Sequence, residues 1–206
     1  MRVLRTVLVL SLLLGISFAQ GLLVTGGVTY STIDGKDVEE DELGLVSSIG
    51  LILGVDKEIN NGLFAGVGYV QRGYGMDISE EFFGETITME GSFALNYLSA
   101  HVYKVFPVNM LQLYGGLELG YFLSAKSKIE MSGGGETESQ EETIDASDWK
   151  DDDGTMLDYG VLAGVRYPVN EQISVSLSYV FGLADLAKDS EVANRSIQIT
   201  AGYTLP

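Results

Sequence analysis

Cysteine is absent from the 206-residue chain, which excludes a disulfide framework, a thiol-ligated metal and lipidation at a cysteine. Histidine occurs once, as His101, tryptophan once and proline three times. Basic side chains are scarce: 12 Lys and Arg stand against 29 Asp and Glu, a net charge of −17. Such a surface repels nucleic acid, whose binding rests on cations meeting phosphates. Long apolar runs are missing too, apart from Val7 to Ile16. That run is shorter than the roughly 20 residues of a spanning helix. It follows Arg2 and Arg5 and ends on Ser17, Phe18 and Ala19. A positive start, a short apolar stretch and small residues at its end predict a signal peptide over residues 1–19, cut after Ala19. Residues 20–206 then form one domain with no helical span.

What the chain does contain is glycine, tyrosine and alternation: 26 Gly, 11 Tyr and segments in which apolar and polar residues trade places at period 2. Alternation of this kind predicts strands. Eight segments are expected, at residues 22–31, 43–55, 62–74, 86–106, 111–126, 155–167, 172–183 and 194–205. Each reaches the roughly 9 to 11 residues that a tilted membrane strand needs.

The two faces decide between solvents, because strand side chains alternate from side to side. In the fifth segment Leu111, Leu113, Leu117, Leu119, Tyr121 and Leu123 share one face, and Gln112, Glu118, Ser124 and several glycines share the other. The seventh sets Ile173, Val175, Leu177, Tyr179 and Phe181 against Ser174, Ser176 and Ser178, and the eighth sets Ile197, Ile199, Tyr203 and Leu205 against Ser196, Gln198, Thr200 and Thr204. A water-soluble barrel with its apolar face inward would carry an exterior of Ser, Thr, Gln and Gly with few charges, a poor aqueous surface. The inverted arrangement puts apolar residues toward lipid and small polar ones into a narrow interior. The fold expected is therefore all-β, an eight-stranded antiparallel up-and-down transmembrane β-barrel.

Connections alternate in length. Residues 56–61, 107–110 and 168–171 read as short turns, and 32–42, 75–85, 127–154 and 184–193 as longer polar loops holding 23 of the 29 acidic residues. Outer-membrane barrels keep short turns in the periplasm, so both termini are expected there and the acidic loops outside.

The second half of the chain resembles the PorT-like outer-membrane β-barrel family. The resemblance rests on NYL at 96–98, LYGGLELGYFLSAK at 113–126, LDYGVLAGVRY at 157–167, SLSYVFGLADL at 176–186 and NRSIQITAGYTL at 194–205. It implies an eight-stranded barrel in the outer membrane of a Gram-negative bacterium. The fourth strand departs from the family: Tyr97-Leu98-Ser99-Ala100-His101 stands where a glutamate and a proline often follow the tyrosine and leucine. The chain also finishes Leu205-Pro206, with its last aromatic at Tyr203, where many such barrels end on an aromatic.

Candidate chemistry is sparse. His101 lies two residues from Ser99 and shares its face, but hydrolysis would also need an acidic orienter. Alternation assigns His101 to the outward face with Phe93, Leu95, Tyr97 and Tyr103, as an interfacial histidine in an aromatic girdle. Arg72, Glu90, Lys104, Glu118, Asp158 and Arg166 are expected to face the lumen as a structural ion-pair network, since an unpaired buried charge is costly. The segment DWKDDDG at 148–154 fails the EF-hand template, because with Gly154 at its sixth position Trp149 falls on the first and Gly160 on the twelfth. Residues 127–154 read as a solvated loop. No catalytic residue and no cofactor is implied. Expected partners are outer-membrane lipid and lipopolysaccharide around a monomer, with cations or proteins at the acidic loops. A narrow channel and a lipid-modifying enzyme are the competing readings.

Overall fold

The computed structural model describes residues 21–36, 45–82, 85–133, 136–188 and 190–206. The expected signal peptide lies outside them. Among these residues nine strands and one short helix follow in order: β1 (Leu22–Gly35), β2 (Leu45–Asn60), β3 (Leu63–Phe82), β4 (Glu85–Val108), β5 (Leu111–Gly133), β6 (Glu136–Asp145), α1 (Ala146–Asp151), β7 (Leu157–Pro168), β8 (Ile173–Asp185) and β9 (Val192–Thr204). Eight of the strands close into a ring in the order β1-β2-β3-β4-β5-β7-β8-β9, every neighbour antiparallel. The ring closes by β1 against β9, with Val28 opposite Ile199. Closure leaves no open edge within the ring.

The short turns are tighter than the sequence suggests. β2 runs on to Asn60, and only Asn61 and Gly62 turn the chain, both at positive φ. Asn-Gly is the pair that tolerates this conformation in a two-residue hairpin. Asp56, expected in the turn, is thereby inside the barrel.

Two of the expected long loops are in large part strand. Residues 75–85 carry β3 and β4 upward in continuous register, from Met76 opposite Gly91 to Phe82 opposite Glu85. Residues 127–154 are not an unstructured solvated loop: β5 continues to Gly133, β6 folds back along it, and α1 returns to the barrel. The reason is local. Ile78, Met89 and Met131 stand directly opposite one another across β3, β4 and β5, and such cross-strand apolar pairs stabilise a ladder even where the surrounding residues are acidic. The result is a four-stranded sheet projecting past the ring.

β8 keeps strict alternation, buried at every even position from Ser174 to Ala184. β4 does not follow the expected faces. Tyr97, Ser99, Tyr103 and Val105 are buried, while Leu98, Val102 and Phe106 are exposed. His101 therefore points into the lumen, which corrects its outward assignment. Both faces of β4 carry large apolar residues, so alternation alone could not choose between them. A bulge also shifts the β4–β5 register between Asn96 and Tyr97, which face Ser124 and Phe122, and a bulge re-aims the side chains beyond it. The outer wall carries Leu117, 59% exposed, among Leu51, Leu53, Val67, Ile199 and other exposed apolar side chains. An apolar exterior on a closed ring is what a bilayer core requires.

Candidate functional site

The barrel interior is built in layers from inward-facing positions of all eight ring strands. Toward the long-loop end lies Arg72 of β3, only 2% exposed. Its Nη1 donates to Asp158 Oδ2 of β7 at 2.5 Å, and its Nη2 pairs with Glu118 of β5. Asn194 Nδ2 of β9 donates to the same Asp158 oxygen at 2.9 Å and approaches the Tyr97 hydroxyl at 3.4 Å. One guanidinium thus meets two carboxylates from different strands, and the attraction is strong in a medium of low dielectric.

Above this layer the lumen is closed by apolar packing. Phe122 is fully buried, with Tyr97 edge-on to it at 5.9 Å, and the Trp149 ring of α1 stacks on it at 4.7 Å and 18°. Trp149 Nε1 donates to the Thr155 carbonyl at 3.1 Å, which satisfies its polar end. Ala146, Met156 and Leu186 pack around the same cluster.

Toward the short turns sits Arg166 of β7. It donates from Nε to Ser176 at 3.3 Å and from Nη2 to the Tyr103 hydroxyl at 2.9 Å. Phe64, Tyr103 and Tyr114 place ring centroids 5.4 to 5.6 Å from its guanidinium carbon. Between the two arginine layers, His101 Nε2 pairs with Asp56 beside an internal cavity of about 50 Å³. Gly66 faces this pair, and a Cβ there would overlap both side chains.

The six expected lumen charges separate into three groups. Arg72, Glu118 and Asp158 are brought together, and Arg166 lies inside but apart from them. Lys104 is not in the lumen: its neighbours Tyr103 and Val105 are buried, and its Nζ reaches outward to the Asn61 carbonyl at the turn. Glu90 is not in the lumen either. It is exposed on the projecting sheet, opposite Asp77 and Glu130. The Lys104 placement follows from the reversed faces of β4, and that of Glu90 from β3 and β4 running beyond the ring.

Sequence reasoning missed Asp56, His101, Tyr97, Tyr103, Asn194 and Trp149 as interior residues. Asp56 had a usable signal, since Gly50, Ile52 and Gly54 precede it at period 2. His101 does have an acidic partner in Asp56, but Ser99 makes no hydrogen bond to the imidazole and lies buried in the lumen wall. A nucleophile–base contact, the first requirement of a hydrolytic triad, is therefore not formed. No group of three metal-ligating side chains is arranged around a common point among the described residues.

A comparison with curated proteins found no match. Solved structures do match. Neisserial surface protein A is 15% identical with a TM-score of 0.53, the alignment covering 90% of this chain and 98% of that one. The attachment invasion locus protein Ail of Yersinia pestis is 21% identical at a TM-score of 0.46, over 89% and 98% of the two chains. OprG of Pseudomonas aeruginosa is 14% identical at 0.38, over 90% and 96%. At such identities the likeness to neisserial surface protein A is one of fold. The model of the outer membrane protein beta-barrel domain matches residues 18–188, most of the chain. With that match, a closed ring and an apolar outer wall, the chain belongs to the outer membrane protein beta-barrel domain family, as a transmembrane barrel of the Gram-negative outer membrane.

Proposed function

We propose that the protein is a sealed, non-catalytic barrel of the PorT-like kind, exported with cleavage after Ala19, with both termini in the periplasm and its acidic hairpin outside the cell. The observation that carries this reading is that both ends of the interior are occupied by side chains. Trp149 and Phe122 fill one end, Arg166 with its three rings fills the other, and Arg72 is tied to Glu118 and Asp158 between them. In this reading the Arg72 cluster is a structural lock of the wall, because separating it would leave buried charges unpaired.

What remains for contact with the surroundings is the outer wall, which meets outer-membrane lipid and lipopolysaccharide as a monomer, and the projecting sheet. β6 and α1 carry Glu138, Glu141, Glu142, Asp145, Asp148 and Asp151, a negative surface suited to cations or to basic segments of partner proteins. The test is conductance of the purified barrel in a planar bilayer together with protease treatment of whole cells. Absence of conductance steps, with cleavage confined to residues 127–154, is the expected result. Steady conductance would make the narrow-channel reading the better one, and cleavage at the Asn61–Gly62 turn would invert the orientation.

A further inference from the structure

The short-turn mouth of the barrel opens on a cavity of about 280 Å³ with Arg166 in its lining. Arg166 is 8% exposed, yet no carboxylate lies within ion-pair distance of it among the described residues. Its hydrogen bonds use Nε and Nη2, which leaves Nη1 without one. Asp56, which shares the neighbouring 50 Å³ cavity with it, is engaged by His101. Rings and hydroxyls offset part of the desolvation of this guanidinium, and its Nη1, which is not sealed from solvent, is free to meet a carboxylate that would offset more.

The same cavity is lined by Glu58 and Glu171 and by the amide side chain of Gln112. Glu58 Oε1 accepts from the Gly62 amide at 2.5 Å, which fixes that carboxylate in the turn. One cation and two anions therefore line one space. A plain anion meets net repulsion there, and a plain cation meets Arg166. A molecule carrying both charges answers each.

We propose that this cavity binds a small zwitterion of the amino-acid class, its carboxylate on Arg166 and its ammonium toward Glu58 and Glu171. The site is independent of whether the lumen conducts, since it opens on the turn side of Arg166.

The test uses glycine as the probe, with acetate and methylammonium as single-charge controls, titrated into the folded barrel in lipid nanodiscs. The readout is the side-chain Nε–H resonance of Arg166 and the heat of binding. Glycine is expected to shift the resonance saturably and more tightly than either control. Arg166→Gln should weaken glycine about tenfold or more, as loss of a charged hydrogen bond does. The pair Glu58→Gln and Glu171→Gln sits in or beside exposed turns, so it keeps the test open if Arg166→Gln fails to fold. It should weaken glycine while strengthening acetate. No saturable shift with glycine, acetate binding as tightly as glycine, or an unchanged glycine affinity in the double variant would each overturn the proposal.

Discussion

The two arginines inside the barrel solve the same physical problem in opposite ways. Arg72 meets two carboxylates and the Asn194 amide shares one of them, so the cation is more than matched on the spot, although its Nε has no hydrogen-bond partner. Arg166 meets a serine, a tyrosine hydroxyl and three aromatic rings, and no carboxylate within ion-pair distance. Removing the first cation strands two anions, whereas removing the second strands only neutral groups. Burial of a charge is therefore a poor guide to its structural weight. What it is paired with decides how much the wall depends on it.

That contrast can be broken most directly at Arg72. Arg72→Met should destabilise the barrel by about 3 to 5 kcal/mol, because Glu118 and Asp158 stay buried without a counter-charge. Unfolding by urea in detergent micelles, followed by the heat-dependent gel shift of folded barrels, measures it. Replacing all three residues by apolar ones of similar volume should recover most of the loss, and a triple variant as unstable as the single one would show that packing, not charge, sets the cost.

Trp149→Ala probes the apolar closure at the same end. Trp149 is only partly buried, so the cost should fall below that of a fully buried ring, at roughly 2 kcal/mol. A quenching agent added outside should not reach the Trp149 fluorescence of the wild type if the ring stays stacked on Phe122. The smallest effect is expected at the other arginine: Arg166→Gln should cost about 1 kcal/mol, since a glutamine amide can still meet Ser176 or Tyr103. A loss equal to that of Arg72→Met would erase the difference between the two sites.

The legibility of the chain followed the contrast between its faces. In β8 every even residue from Ser174 to Ser178 is small and polar and every odd one from Ile173 to Phe181 is large and apolar, so inside and outside could be told apart from the sequence. In β4 Tyr97, Tyr103 and Val105 lie opposite in face to Leu98, Val102 and Phe106, and both sets are apolar. The reversal moved His101 into the lumen and Lys104 out of it. Of the candidate lumen charges, Glu118, Asp158 and Arg166 lie on strands with one clearly apolar face and are buried. β6 and α1 were hidden because their residues are mostly polar or charged and carry no apolar periodicity of their own.

By itself the sequence determined the class: period-2 segments with one apolar face, and turns of alternating length, are local properties that any register preserves. The tertiary structure alone decided which charges meet. Arg72 and Asp158 are 86 residues apart, and Asp56 and His101 45, and their contacts depend on ring closure, strand stagger and one bulge in β4–β5. Those are sums over all eight strands, and a shift of one residue in any of them turns a side chain from the lumen to the lipid.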